Sequence, residues 1–508
     1  MSQEREQWGS RWGFVIAAIG SAIGLGNIWR YPYVAYKSGG GAFLIPYLFA
    51  IITTGISFVA FEFILGKKYR GSPPLTYSRI NKKLEFLGWW QFLIPFFIMT
   101  YYAVILAWAF NYIGYSLTLA WGEDTNAFFF ESFLNISSEV SVSGLGGIVW
   151  QVFIPLMLVW FVTLSIVYRG IKSGIEKMNK IAMPTLAILF LIFVIRAVTL
   201  RGAVTGLNAF FQPNWSSLAK PDVWIAAYSQ IFYSLSLAMG IMITYSSYLP
   251  KKVDTNTSAF VAAFANSGFE LLAGIGIFAA MGFMAVSTNT QLENLVTSGV
   301  GLAFVVLPQI INQLPLSQFF GSVFFICLFL AGITSLISLM EVCVSTASEK
   351  FAWSRQRTVV VIGILVVLFS IGYTTNGGLY LLDVVDNFIN NFAILPGALV
   401  EILLVCWVFK KFKELQAEAN KHSYIQLGKT WRLTLGIITP LALAVILGRS
   451  LVDNIKTVYG GYPQSFVGIF GWGLVIALPI VSALLAKVPW KNPEVAQEIP
   501  SGEDDFAQ

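Results

Sequence analysis

The chain has 508 residues, of which 56% are hydrophobic and only 11% charged, whereas soluble domains carry about a quarter charged residues. That composition excludes an ordinary soluble protein, and apolar stretches recur so regularly that residues 1–508 read as one membrane domain. The net charge of +6 is spread through the gaps between those stretches rather than along one basic stripe, which argues for a lipid bilayer and against nucleic acid as partner.

A span needs about 20 mainly apolar residues. Twelve such segments follow one another, at 12–36, 41–66, 88–118, 146–168, 175–199, 222–249, 256–287, 319–351, 357–374, 379–411, 430–450 and 465–487. The fold class is therefore an all-α integral membrane protein. Residues 291–314 are apolar but interrupted by Asn, Gln and Pro, and are expected to form a re-entrant loop. Lys67, Lys68 and Arg70 follow the second span, Arg169 and Lys172 the fourth, and Lys251 and Lys252 the sixth. Residues 122–147 hold Glu123, Asp124, Glu131 and Glu139 without a Lys or Arg. The positive-inside rule then places both termini in the cytoplasm, with 1–11 a short leading segment and 488–508 a polar tail. The first apolar segment is long enough to span and lacks a convincing cleavage site, so it is expected to be retained. Cys327, Cys343 and Cys406 all fall inside predicted helices, so no disulfide framework is implied.

Two spans differ from the rest. The first carries Gly20-Ser21-Ala22-Ile23-Gly24-Leu25-Gly26-Asn27, and the sixth carries Ser234-Leu235-Ser236-Leu237-Ala238-Met239-Gly240. A single small residue is by default a packing contact between helices. Gly24 and Gly26 together, followed by Asn27, string weak helix formers in a row and favour local unwinding. Unwound backbone at membrane depth must line a cavity. The two interruptions lie five spans apart, as in an inverted repeat of 12–199 and 222–411 with 430–487 added, and that arrangement points to a transporter. A channel would need a continuous polar pore or filter loop, and none is evident. An enzyme is disfavoured because His422 is the only histidine and no metal-ligand cluster or activated nucleophile is present. A non-transporting sensor with the same site stays open.

Arg5-Glu6-Gln7-Trp8, Gly24-Leu25-Gly26-Asn27-Ile28-Trp29-Arg30-Tyr31-Pro32 and Gly39-Gly40-Gly41-Ala42-Phe43 resemble the opening of the neurotransmitter:sodium symporter family. Gln230-Ile231-Phe232-Tyr233-Ser234-Leu235-Ser236 and Ala331-Gly332-Ile333-Thr334-Ser335 extend the resemblance, which runs from Trp8 to about Asp386. It implies a bacterial amino-acid member with the leucine-transporter fold, importing a neutral amino acid with Na+, two ions per cycle, by alternating access. Paired outer-loop cysteines, common in animal members, are missing, so the home implied is a prokaryotic plasma membrane. Monomer and dimer are both open.

The resemblance also implies roles for individual residues. One Na+ would be held by the Ala22 carbonyl, Asn27, Ser234, Asn266 and the substrate carboxylate. A second would lie among the carbonyls of Gly20, Ile23 and Ala331 and the hydroxyls of Thr334 and Ser335. Such oxygen-rich shells suit a hard cation; bonding back to their own helix is the alternative for the two hydroxyls, and the ligand role is favoured. The amides of Leu25 and Gly26, opening a helix, would receive the substrate carboxylate together with Tyr102. Its amino group would face the carbonyls of Ala22, Tyr233 and Ser234. Ile98, Ser236, Met239, Ser335 and Leu339 would line the side-chain pocket, with Met239 the adaptable member. Gly24 leaves no acid to pair with an amine, so the ligand should bring its own carboxylate; glycine, GABA or taurine are the alternatives. Glu270, an intramembrane acid and so a functional candidate, would replace the chloride of chloride-dependent relatives. An outer gate would join Arg30 to Asp386 under Tyr102 and Tyr233, and an inner gate Arg5 to Glu349 beside Trp8 and Tyr248. The family usually has Asp where Glu349 stands.

Overall fold

The computed structural model describes residues 5–137, 140–142, 144–499 and 506. Glu139 of the acidic loop, residues 1–4 of the leading segment and residues 500–505, 507 and 508 of the tail lie outside them. The elements are helical because a bilayer offers no water to the backbone, and a helix satisfies its N–H and C=O groups within itself. In chain order they are α1 (Arg11–Ala22), α2 (Leu25–Lys37), α3 (Gly40–Tyr69), α4 (Pro73–Ile80), α5 (Lys82–Ser116), α6 (Trp150–Tyr168), α7 (Ile171–Val198), α8 (Ala203–Phe211) and α9 (Pro221–Ser234). There follow α10 (Ile241–Ser246), α11 (Thr255–Thr288), α12 (Gly299–Gln313), α13 (Ser317–Phe351), α14 (Arg355–Thr374), α15 (Gly378–Val408), α16 (Phe412–Asn420), α17 (Lys429–Gly461) and α18 (Gln464–Lys487).

Ten of these helices are long and apolar enough to cross a bilayer, and α1 with α2 makes an eleventh as a pair bent by 53°. The predicted sixth span is two short helices, α9 and α10, on either side of residues 235–240. Residues 291–314, expected as a loop, are largely the helix α12, too short to cross. The short helices α4 and α16 were not expected; both lie in basic connections whose low apolarity hid them. In α16, burial would raise the Glu414 carboxyl, but hydrogen bonds from Lys411 and Lys68 outweigh it and hold the group at about 2. That pairing clips α16 to the end of α3.

The two interruptions have definite backbone causes. After Ala22 the chain turns extended at Ile23 (φ −72, ψ 105) and Gly24 (φ −134, ψ −165) before α2 begins. Between α9 and α10, Ser236, Ala238 and Gly240 are left-handed, at φ 53, 58 and 70. Such a conformation costs about 1–3 kcal/mol at a non-glycine residue, so the surrounding packing must impose it. The breaks touch: Ser236 Oγ donates to the Ser21 carbonyl at 3.1 Å. The long helices α5 and α13 run beside each other through the core and supply the walls around this junction. At the periphery α17 and α18 leave Leu441, Val445, Ile469 and Ile476 exposed, an apolar rim suited to lipid.

Gly240 is required twice, by its positive φ and by Pro73, whose Cγ would sit 2.5 Å from an added Cβ. Gly240→Ala is expected to cost about 1–3 kcal/mol, read as a lower thermal-inactivation midpoint of the purified protein. Gly448→Ala, whose methyl would meet nothing within 4 Å, should not lower it.

Candidate functional site

In an unbroken helix the amides of Gly24, Leu25, Gly26 and Asn27 would close onto the carbonyls of Gly20, Ser21, Ala22 and Ile23. Here they go elsewhere. The Gly24 N–H donates to Asn27 Oδ1 at 2.9 Å, Leu25 N–H reaches the Tyr102 hydroxyl at 3.4 Å, and Asn27 N–H bonds the Gly24 carbonyl at 3.3 Å. Gly26 N–H makes no backbone bond to Ala22. Four consecutive carbonyls are thus released into one place, and Gly20, Ala22 and Ile23 are three of the expected ion ligands.

Asn27 begins a chain of amide contacts. Its Nδ2 donates to Asn266 Oδ1 of α11 at 2.8 Å, and Asn266 Nδ2 donates to Ser234 Oγ at the end of α9 at 3.0 Å. Each carbonyl oxygen has two lone pairs, so Asn27 Oδ1 and Asn266 Oδ1 can still coordinate a cation. On the other side of the break, Ser335 Oγ of α13 lies 3.3 Å from the Ser21 carbonyl, 3.4 Å from that of Ile23 and 3.2 Å from that of Ala331. Thr334 Oγ1 is bonded back to Leu330 and Ala331 at 3.2 and 3.1 Å. A Cβ on Gly20 would fall 2.3 Å from Asn179 Oδ1 of α7, a buried acceptor with no donor. Both groups offer neutral oxygens only, which is the donor chemistry Na+ takes.

Gly24 lies between them. A methyl there would stand 3.1 Å from Tyr102 Oη and 3.2 Å from Ser335 Oγ, so these two hydroxyls face each other across the first break. Ile98 is one turn before Tyr102 on α5 and Leu339 one turn after Ser335 on α13, on the same helix faces, and both are buried. Met239 is buried in the unwound stretch between α9 and α10.

Glu270 of α11 is fully buried. It accepts hydrogen bonds from the Tyr47 hydroxyl and from Gln230 Nε2, the latter at 2.6 Å. Gln230 Oε1 in turn accepts from Arg30 Nη1 at 2.9 Å, and the Arg30 guanidinium lies 4.9 Å from the centre of the Tyr233 ring. The expected ion pair of Arg30 with Asp386 is not made. Asp386 instead accepts from Tyr101 at 2.7 Å and Asn390 at 2.9 Å, while the Tyr233 hydroxyl turns to the Asn390 carbonyl at 3.3 Å. The opposite end is fastened. Arg5 pairs with Glu349 and stacks 4.7 Å over the Tyr248 ring, and Trp8 Nε1 donates to the Tyr245 carbonyl at 2.7 Å.

Several participants were not singled out from sequence. Ser21 acts through its carbonyl, and only its place in the Gly20–Asn27 run hinted at it. Tyr101 holds Asp386, and Ser72 donates both its N–H and its hydroxyl to Glu349, at 2.9 and 2.6 Å. Glu341, which had no assigned role, pairs with Arg355 and accepts from the Tyr248 hydroxyl at 2.6 Å.

The sequence was compared with known proteins. The model of the sodium:neurotransmitter symporter family matches residues 5–129 and 122–492. An uncharacterized sodium-dependent transporter of Methanocaldococcus jannaschii is 40% identical over 96% of this chain and 98% of its own length. The mouse sodium- and chloride-dependent neutral and basic amino acid transporter B(0+) is 29% identical, covering 94% of this chain and 84% of its own. The Xenopus laevis sodium- and chloride-dependent glycine transporter 2 is 28% identical over 94% and 68%. With two broken helices meeting at a cluster of neutral oxygens and a family match along nearly its whole length, this multi-pass membrane protein belongs to the sodium:neurotransmitter symporter family, whose coupled ion is Na+ and whose members are transporters rather than enzymes.

Proposed function

We propose that the protein imports a neutral α-amino acid with two Na+ by alternating access and without chloride. The observation that carries this reading is the set of carbonyls released from Gly20 to Ile23 beside the Asn27–Asn266–Ser234 chain. Asn27, Asn266, Ser234 and the Ala22 carbonyl would hold one ion. The substrate carboxylate, directed by the amides of Leu25 and Gly26 and by Tyr102, would complete its shell. That shared carboxylate couples the two fluxes: without the ion the anion is buried unpaired, and without the anion the ion lacks a ligand. The carbonyls of Gly20, Ile23 and Ala331, with Thr334 and Ser335, would hold the second ion, and Asn179 Oδ1 is a further oxygen in reach of that place.

A neutral amino acid is favoured because Gly24 presents no acid to an amine and because Ile98, Met239 and Leu339 are apolar. Two of the relatives are named for amino-acid transport. Two ions suit the task energetically. At about 100 mV and a tenfold gradient each Na+ supplies roughly 2.3 plus 1.4 kcal/mol, so two supply about 7, or on the order of 10⁵-fold accumulation. The fastened Arg5–Glu349 end and the unpaired Arg30 and Asp386 fit a conformation closed to the cytoplasm and released toward the outside. Cytoplasmic termini follow from the basic connections after α3, α6 and α10.

The decisive measurement is uptake of a labelled amino-acid panel by proteoliposomes. Accumulation of at least one neutral amino acid should require an inward Na+ gradient; binding without flux would make the protein a sensor instead. Gly24→Ala should raise KM on the order of tenfold, equivalent to about 1.4 kcal/mol, because its methyl crowds Tyr102 and Ser335. Wild-type uptake should be indifferent to replacing chloride by gluconate. Glu270→Ser, which removes the fixed carboxylate, should make uptake depend on chloride; a variant that remains indifferent argues against that role for Glu270.

A further inference from the structure

A second group of buried acids lies apart from Glu270. Glu62 of α3 and Glu401 of α15 are both fully buried. Glu401 accepts hydrogen bonds from the Tyr77 hydroxyl of α4 at 2.6 Å and from Gln91 Nε2 of α5 at 2.8 Å. Among the described residues neither oxygen of Glu62 has a partner at hydrogen-bonding geometry, and Gln91 Oε1 is a third buried acceptor without a donor. Glu62 and Glu401 are near enough to interact through charge, and the Ala238 amide, in the unwound stretch between α9 and α10, lies alongside Glu62.

The neighbouring cations are engaged elsewhere. Lys67 donates to the Val253 carbonyl at 2.7 Å, Lys68 pairs with Glu414 at 2.6 Å, and Arg70 donates to the Leu249 carbonyl at 2.8 Å. Arg79 is spent on the carbonyls of Tyr69, Arg70 and Val495. The titratable groups facing the pair are Tyr77 and Cys406, which bring no positive charge. Two ionised carboxylates in such a place would be unpaired charge in a lipid-embedded core, the arrangement proteins avoid most strongly. With no cation bonded to either acid among the described residues, a proton on oxygen is the neutralising partner that remains.

We propose that Glu62 and Glu401 form a proton-binding site that holds at least one proton, on Glu62, while the Arg5–Glu349 end is closed, and that the proton passes to water as that end opens. The linkage runs through α4. Ser72 immediately precedes this helix and is bonded to Glu349, Pro73 in its first turn abuts Gly240, and Tyr77 in its second turn holds Glu401. Release of Arg5 leaves the Glu349 carboxylate held by Ser72, so that movement of this carboxylate draws the start of α4 with it and lets water reach Glu62. The acid O–H bond then breaks, its electron pair stays on the carboxylate, and the proton leaves as hydronium. The Ala238 amide is placed to donate to the carboxylate that remains. The gating half of this proposal rests on the alternating-access reading above; the protonation half does not.

Infrared difference spectra of the full-length protein in nanodiscs, wild type against Glu62→Gln, test the protonation directly. A protonated-carboxyl C=O band is expected in the wild type at neutral pH, lost in Glu62→Gln and unchanged when K+ replaces Na+. Absence of the band overturns the proposal, and so does a band present only without Na+, which would assign a metal cation to the site. Gate opening is read by thiol labelling of Ala18→Cys, buried in α1, in a background with the three native cysteines replaced. Labelling, taken relative to that of an exposed reference cysteine to remove the thiolate's own rise with pH, should rise several-fold from acid to alkaline medium in the parent and stay low and flat with Glu62→Gln. Should Glu62→Gln not fold, Glu401→Gln serves: losing the negative neighbour should move the labelling profile toward acid pH, and an unmoved profile overturns the pairing. Equal profiles in parent and Glu62→Gln overturn the link to the gate. No labelling of the parent at any pH overturns alternating access itself.

Discussion

The Ser21 carbonyl accepts the Ser236 hydroxyl at 3.1 Å with Ser335 Oγ beside it at 3.3 Å, and the remaining geometry of the centre follows from that junction. Its helical partner, the Leu25 amide, has turned to Tyr102, so the oxygen would otherwise be an unsatisfied acceptor at membrane depth. One hydroxyl comes from the unwound stretch after α9 and the other from the continuous helix α13. The second interruption therefore serves the first directly through Ser236, while Ser335 of the continuous helix α13 stands beside the same oxygen.

The same logic explains how the two ends of the molecule differ. At the Arg5 end the charged groups are linked in series: Arg5 on Glu349, Glu349 on Ser72, Trp8 on the Tyr245 carbonyl, Tyr248 on Glu341, and Glu341 on Arg355. These links tie the leading segment to α4, α10, α13 and α14 at once, and releasing one leaves a buried charge exposed to its neighbours' fields. At the Arg30 end the charges are held apart by neutral intermediaries, Gln230 on one side and Tyr101 with Asn390 on the other. Neutral partners are cheaper to exchange than ion pairs, and on the proposed reading this end is the one poised to move.

Much of this was legible in the sequence, and the limits were physical. Long apolar runs gave the spans because lipid imposes length and apolarity together. The Gly20–Asn27 run announced an interruption because several poor helix formers coincide there. The sixth span was harder: Ser236 and Ala238 are ordinary residues forced into left-handed backbone by packing, and nothing in their identity signals it. Tyr101 and Ser72 went unassigned because their roles are set by partners hundreds of residues away, and Arg355 because its partner Glu341 lies across the turn between two helices, which no local spacing reveals. The helix α4 was hidden because its apolar positions are few, although it connects Glu349 to Gln91 and Glu401.

Gln230 carries the remaining electrostatic argument. Its oxygen faces the Arg30 guanidinium and its nitrogen faces the Glu270 carboxylate, and the reverse orientation would set donor against donor and acceptor against acceptor. The amide is therefore locked, and any change in the charge at Glu270 acts on Arg30 through two hydrogen bonds. The protein oxygens proposed for the ions are all neutral and the substrate carboxylate comes and goes, so on that reading Glu270 would supply the fixed negative charge beside the Asn27–Asn266–Ser234 chain. On the proposed reading, a cation arriving there would compete with Gln230 for the field of Glu270, and weakening that bond would loosen Arg30, so that one side chain would couple ion binding to the Arg30 end without the ion touching the gate.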